Sequence, residues 1–316
     1  MIVVNTQLGR YDSSPAELLN TYSNSHGVTY NALHHKPRIS DLPKLIKYAT
    51  GIIAGTEPYT KEILANAKSL KVISRVGVGF DNVDLDYCRE HNIIVTYTPE
   101  APADAVAEYT IAQILNLIRH IPQSDRAMRE GNWDRLMGKL VSEITIGVLG
   151  VGRIGKRVIK LLQPFNPNIM ACDLEPDVGF GKQYNVDWAD LLKLFYCCNL
   201  ITIHIPLNEY NNGLIGYTLL QNTRKGSYII NTSRGAIVDE QAIKTYLDNG
   251  FLAGYAADVF QNEPYSGDLI QDDKTILTAH MGARTTLSRY LMEMGAVKDC
   301  LSVLEGNTPK NPVTYV

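Results

Sequence analysis

ITIGVLGVGRIGKRV, residues Ile144 to Val158, sets three glycines in GxGxxG spacing between an apolar run and an amphipathic one. The run before them suits a strand buried on both faces, and the run after them suits a helix. Gly150 permits a tight turn, Gly152 removes a side chain that would block a pyrophosphate, and Gly155 lets helix and strand pack closely. Arg153 and Ile154 then fall at a helix N-terminus, whose free amide donors face phosphate. Asp173 closes the next apolar run, NIMACD, where a carboxylate can accept from both ribose hydroxyls of an adenosine. A glycine turn followed by a surface Asp is the plainer alternative, and the strand-before, helix-after context argues against it. NAD is the expected cofactor. It is preferred over NADP, because Asp173 repels a 2'-phosphate and the following LEPDVGFG offers no Arg.

On either side of this motif, short β-branched runs alternate with amphipathic ones, the pattern of parallel sheets with crossover helices. IVV after Met1, VTY from Val28, GIIAG from Gly51, KVISRV from Lys71 and IIVT from Ile93 form a first series of strands. Ser14, Pro15 and Glu17 mark the start of the first helix and Gly27 its end. Near Pro99 the rhythm changes to a helix from about Ala103 to His120 and a polar one from Asp125 to Glu130. A second series follows: ITIGVLG, NIMACD, LITIHIP from Leu200, GSYIIN from Gly226 and FLAGYAAD from Phe251. A last helix spans about Thr285 to Gly306, with Leu287, Leu291, Met294, Val297, Leu301 and Leu304 at helical spacing. The expected fold class is α/β: two Rossmann-like or flavodoxin-like parallel-sheet domains with an interdomain cleft.

With 316 residues, 45% of them hydrophobic, the chain can bury two cores. A formal net charge of -3 gives no positive field, so neither nucleic acid nor an anionic membrane is expected as partner. The chain opens MIVVNTQLG, without a secretory leader, and no run reaches the roughly 18 apolar residues of a membrane span. A cytoplasmic protein is expected. Cys88, Cys172, Cys197, Cys198 and Cys300 have no CxxC spacing, which favours reduced thiols over a disulfide framework or a zinc site.

Three polar residues follow strands of the second series. Arg234 in NTSRGAIVD could grip a carboxylate with two charged hydrogen bonds. Glu263 in ADVFQNEP and His280 in ILTAHMG form a plausible proton-transfer pair, the carboxylate orienting the ring and favouring its protonated form. Taken singly, each has a plainer reading: a solvated Arg, a turn Glu before Pro264, a core histidine. The HHKPR run, His34 to Arg38, reads better as a charged turn than as an anion site. Tyr-rich and Met-rich positions read as packing.

GVLGVGRIG, Asp173, NTSRGAIVDE, ADVFQNEP and TAHMGA, in that order, resemble the D-isomer-specific 2-hydroxyacid dehydrogenases over nearly the full length. KVISRVGVGFDNVDLD and DAVAEYTIAQILNLIRHIP are most similar to the phosphoglycerate dehydrogenase branch. The resemblance implies a catalytic trio of Arg234, Glu263 and His280. It also implies substrate-carboxylate binding by the amides around Val78 and Gly79. His204, Thr232 and Asp258 would line the cofactor crevice, and a homodimer would form through the helices after Pro99. It implies a substrate domain of residues 1–98 and 285–316, an NAD-binding domain of residues 99–284, and hinges near Pro99 and Gly282. The end of the chain soon after the last helix leads us to expect no C-terminal regulatory domain and no feedback by serine.

Some members carry an Arg where this chain has Ala54 to Glu57, so Arg75 and Arg284 become the candidates for a substrate phosphate. The implied reaction moves a hydride between the nicotinamide and C2 of a small 2-hydroxy or 2-keto acid, without a metal. Phosphoglycerate dehydrogenase-like activity is the first expectation and glyoxylate or hydroxypyruvate reduction the alternative. A non-catalytic NAD-sensing protein of the same fold is the rival from another class. Formate dehydrogenases of this fold resemble a His with a Gln partner, whereas this chain supplies Glu263.

Overall fold

A computed structural model describes residues 1–9, 14–22, 27–30 and 37–314 of the chain. The strands fall on the apolar runs: β1 Ile2–Val4, β2 Val28–Tyr30, β3 Gly51–Ala54, β4 Val72–Arg75, β5 Ile94–Thr96, β6 Thr145–Leu149, β7 Asn168–Cys172, β8 Val186–Trp188, β9 Leu200–Ile203, β10 Ser227–Asn231, β11 Leu252–Ala257 and β12 Thr275–Leu277. They form two sheets in which every strand pair is parallel, so the protein is of the α/β class. The chain divides into two compact units, Met1–Pro102 with Arg284–Val316, and Ala103–Ala283.

In the first unit the strand order is β2-β1-β3-β4-β5, and it reverses between β1 and β3. Val3, Ile52, Ile73 and Val95 fill the core on one face of this sheet. On the other face Gly51 clears room for the terminal helix, Thr286–Leu304: a Cβ there would lie 2.8 Å from Cys300 Sγ. Of the apolar residues at helical spacing, Val297 and Leu301 face the core. Met292, Glu293, Ala296, Val297, Cys300 and Leu301 are buried, while Leu287 and Leu291 are exposed. The first helix keeps its expected capping box at Ser14 and Glu17 but ends at Thr21, with Tyr22 as cap, short of Gly27. Of the HHKPR run, His34, His35 and Lys36 lie outside the described residues.

The second unit has the order β12-β11-β10-β9-β6-β7-β8 and reverses between β6 and β9. Its strands are covered on both faces, which is why they read as continuous apolar runs. Along β6, Ile146 and Val148 enter one core and Leu149 the other. Two strands escaped the sequence reading, β8 and β12, both three residues long and both at sheet edges. The long helix runs Ala103–Arg119; the polar one after it starts earlier than expected, spanning Ile121–Arg129. Among the described residues no helix is long and apolar enough to cross a membrane, and no cluster of His, Cys, Asp and Glu is arranged to hold a metal ion.

Candidate active site

Parallel strands that share an edge deliver the residues after them to one side of the sheet. In the second unit this gathers the glycine turn after β6, Asp173 after β7, His204 after β9, Thr232 and Arg234 after β10, Asp258 and Glu263 after β11, and His280 after β12.

The three glycines do different work. Gly150 has φ +91, and a Cβ there would lie 2.8 Å from the His204 carbonyl carbon. Gly155 packs so closely that a Cβ would lie 2.1 Å from the Gly150 carbonyl oxygen, whereas a Cβ on Gly152 would meet open space. The helix Arg153–Leu162 starts directly there, with Gly152 as its cap residue. Asp173 is tied to this turn: Oδ2 accepts from the Val151 amide at 2.6 Å and Oδ1 from the Glu175 amide at 3.0 Å. A carboxylate has about four acceptor sites, so both ribose hydroxyls can still be met. Open space over Gly152, a helix N-terminus and an anchored acid fit a dinucleotide.

His204 differs from the other site residues because its chemistry is suppressed. Part of the residue reaches the surface, yet Nδ1 is shielded from solvent and has no partner. Nε2 lies 3.0 Å from Thr202 Oγ1. Burial lowers the ring's pKa from 6.5 to about 3. The ring stays neutral and cannot balance phosphate charge.

His280 and Glu263 are in direct contact, Nδ1 lying 3.0 Å from Oε2 and 3.2 Å from Oε1. Both are partly open, with side chains 42% and 37% exposed, so solvent screens the pair. Glu263 Oε1 also accepts from the Phe260 amide at 3.2 Å, which fixes the carboxylate. With Nδ1 engaged, Nε2 is the ring atom left for a substrate.

Arg234 reaches the same edge through Asn231, which is fully buried. Asn231 Nδ2 donates to the Arg234 carbonyl at 2.9 Å, and Oδ1 accepts from the Ser233 amide at 3.0 Å. The next residue, Gly235, lies against the chain leading to Glu263; a Cβ there would come within 1.9 Å of the Phe260 carbonyl carbon. The Arg234 loop and the Glu263 loop are thus locked by a contact only glycine permits. Thr232 Oγ1 lies 3.3 Å from Thr110 Oγ1 on the Ala103–Arg119 helix.

The sequence reading overlooked what surrounds Asp258. This carboxylate, 3% exposed, accepts from the Met281 amide at 2.8 Å, the Gly282 amide at 2.7 Å and Thr278 Oγ1 at 2.8 Å. Thr278 in turn meets Tyr109, and Tyr109 meets Gln113. Polar residues at positions 109, 110 and 113 of an otherwise apolar helix face were the available signal.

In the first unit, Val78 and Gly79 lie on the loop after β4. Neither amide donates to another group among the described residues. Arg75 departs from its expected role. It is 4% exposed, with Nε donating to the Gly79 carbonyl and Nη1 to the Ala54 carbonyl, both at 3.0 Å. A guanidinium spent on two carbonyls braces this loop and is not presented to a phosphate. Arg284 is exposed, without a hydrogen-bond partner among the described residues.

Residues 111–282 match the model of the D-isomer specific 2-hydroxyacid dehydrogenase NAD-binding domain. The chain belongs to that family. It is 35% identical to a glyoxylate reductase of Thermofilum pendens, over 80% of this chain and 78% of that one. It is 31% identical to a D-3-phosphoglycerate dehydrogenase of Archaeoglobus fulgidus over 92% of this chain, a match that spans only 56% of the longer relative. The crystal structure of a D-lactate dehydrogenase from Aquifex aeolicus, complexed with NAD and lactic acid, superposes with a TM-score of 0.86 over 100% of this chain and 99% of that one, at 24% identity. That last likeness speaks for the fold. Family and relatives make this an NAD-dependent oxidoreductase acting on the CH–OH group of 2-hydroxy acids.

Two outcomes follow from the site's construction. Gly235→Ala forces a backbone shift in the Arg234 or Glu263 loop, an overpacking cost of about 1–3 kcal/mol or more. Urea unfolding should show the loss; an unchanged midpoint would mean that the contact yields. His204, neutral when folded down to about pH 3, takes up a proton only in the unfolded chain as pH falls below 6.5. Its contribution is whole above pH 6.5 and drains below it, by at most about 1.4 kcal/mol per pH unit. His204→Gln should therefore lose less stability between pH 7 and pH 5 than the natural protein; parallel losses would refute the desolvated ring.

Proposed function

We propose that this protein reduces a short, unphosphorylated 2-keto acid, glyoxylate or hydroxypyruvate, with NADH. The observation that carries this choice is Arg75, whose buried guanidinium is taken up by the Ala54 and Gly79 carbonyls. A phosphate dianion without cationic partners is costly to desolvate, so a site lacking such a partner favours the smaller acids. The glyoxylate reductase relative supports the same reading.

The bound nicotinamide supplies the hydride. Arg234 takes the substrate carboxylate and polarises the C2 oxygen, and the free amides of Val78 and Gly79 add donors for that carboxylate. Protonated His280 gives its Nε2 proton to the C2 oxygen during reduction, while Glu263 holds Nδ1 and stabilises the imidazolium. In the oxidation direction the neutral ring accepts that proton. Gly150, Gly152 and Gly155, with Arg153 and Ile154, hold the pyrophosphate, Asp173 holds the adenosine ribose, and His204, Thr232 and Asp258 surround the cofactor. The five cysteines are free thiols, which suits a reducing compartment such as the cytoplasm.

Phosphoglycerate oxidation is the second reading, favoured by Arg284, exposed and unpartnered. A panel of glyoxylate, hydroxypyruvate, pyruvate, phosphohydroxypyruvate and 3-phosphoglycerate separates the two. Hydroxypyruvate should exceed its phosphorylated form in kcat/KM, with Arg284→Ala making no difference. A preference for the phosphorylated acid that collapses in Arg284→Ala would transfer the assignment to phosphoglycerate. NADH should be favoured over NADPH by about tenfold to a hundredfold, the worth of hydrogen bonds to the Asp173 carboxylate; equal efficiency would remove Asp173 from the ribose. No turnover of any acid would favour the non-catalytic NAD-sensing alternative.

A second copy of the chain is the proposed partner. Ile121, Met128, Trp133, Leu136, Met137 and Leu140 are exposed along one stretch, with Trp133 at 72% and Met137 at 91%. So much apolar surface in one place marks an interface. Sedimentation should give a dimer mass that falls to the monomer in Trp133→Glu/Met137→Glu; a monomeric natural protein would sink the proposal.

A further inference from the structure

His280 carries a backbone φ of +50, a left-handed conformation that costs an ordinary residue about 1 kcal/mol or more. Something must hold it. Its amide donates to the Asp258 carbonyl at 2.8 Å, and the amides of Met281 and Gly282 that follow donate to the Asp258 carboxylate. On the other side of the histidine, Thr278 Oγ1 donates to the same carboxylate. Asp258 therefore grips the chain before and after His280.

The protons in this cluster can run in only one sense. Both Asp258 carboxylate oxygens accept, from Thr278 Oγ1, the Met281 amide and the Gly282 amide. Thr278 has one hydroxyl proton and places it on Asp258, so its oxygen must accept, and Tyr109 donates to it. Tyr109 has then spent its own proton, and its oxygen accepts from Gln113 Nε2 at 2.7 Å. The reverse sense would place Thr278's only proton on Tyr109 and leave its oxygen 2.8 Å from Asp258 Oδ1 with no proton between the two acceptors. Burial and the Asp258 charge both raise the Tyr109 phenol above its usual pKa, which keeps it a donor. Gln113 is 4% exposed, and its Oε1 has no partner. The amide is thus kept for the single bond to Tyr109.

We propose that Tyr109 is a positioning residue for His280, its hydroxyl fixing the Thr278 proton on Asp258 and through that carboxylate the left-handed backbone that aims the ring. The catalytic part rests on the reading of His280 as the proton donor. Among the described residues no hydrogen bond joins Tyr109 to Glu263 or His280, so its loss should alter how the ring is aimed and leave cofactor binding intact.

The test is Tyr109→Phe, followed by two readouts. The turnover number for glyoxylate or hydroxypyruvate should fall about tenfold, the worth of one well-placed hydrogen bond, while NADH affinity by fluorescence titration stays unchanged. The His280 imidazole nitrogen signals, assigned by their loss in His280→Gln, should shift or broaden. In a Thr278→Val background Tyr109→Phe should have no further effect, because the path runs through that hydroxyl. An equal loss in both backgrounds, or natural kcat and unmoved imidazole signals in Tyr109→Phe, overturns the proposal.

Tyr109→Phe also strands the Gln113 amide, so stability is read as well. Tyr109→Phe/Gln113→Leu removes that stranded group and should restore the melting temperature without restoring kcat. Recovery of both would reduce Tyr109 to a structural residue and overturn the proposal. If no acid is turned over by the natural protein, the reductase reading falls; the imidazole signals then decide the positioning role alone.

Discussion

The contact between Gly155 and the Gly150 carbonyl is closer than any residue with a side chain allows, and much of the second unit depends on it. It seats the Arg153–Leu162 helix against the end of β6 and so aims the helix N-terminus at the space over Gly152. The same turn exposes the Val151 amide to Asp173, so the acid proposed for a ribose is first an anchor of the turn. At Gly150 the missing side chain admits the backbone after β9, which brings His204 beneath the loop. The turn is thus built from backbone proximity, with the Asp173 side chain as its brace.

A second constraint acts on the opposite half of the sheet edge. β10, β11 and β12 are neighbours and parallel, so residues that follow them emerge side by side although they lie far apart in the chain. Emergence alone does not aim them. Asn231 under Arg234, Phe260 behind Glu263 and Asp258 beneath His280 supply the aim, each through hydrogen bonds to backbone groups. Buried polar residues are costly unless paired, and here nearly every pairing ends on a loop that carries a candidate catalytic side chain. The Ala103–Arg119 helix joins in, sending Tyr109, Thr110 and Gln113 into that layer while its remaining buried residues pack as apolar core.

The glycine turn and the succession of strands along the chain were legible because each depends on residue type at fixed spacing, whereas the candidate trio came from the family resemblance. β8 and β12 were not. Three residues at a sheet edge show no period, and only the neighbouring strand defines them. The terminal helix was recognised as a helix, but its buried side could not be read: Glu293 is buried and accepts from the Gly9 amide at 2.8 Å, so a polar residue occupies a position that hydrophobicity alone would leave outside. Tyr109 read as packing for the converse reason. A tyrosine beside Thr110 and Gln113 on an apolar helix hints at a polar neighbour but not at which one, here a threonine 169 positions away.

The arginines show most plainly where sequence reading stops. Arg75, Arg234 and Arg284 carry the same group and all looked able to hold an anion. What separates them is the nearest acceptor. At Arg75 the bends after β3 and β4 turn the Ala54 and Gly79 carbonyls inward, and an always-charged fork with five donors fills that need without leaving the interior. Arg234 gives one donor to the adjacent Ser233 carbonyl at 2.8 Å, and its loop is held by Asn231 rather than by its own charge. Arg284, two residues after Gly282, whose amide is consumed by Asp258, is exposed and has no hydrogen-bond acceptor among the described residues. Whether a cation recognises substrate or supports a loop is therefore decided by carbonyls belonging to other strands, and those are set by the fold and not by the residues around the arginine.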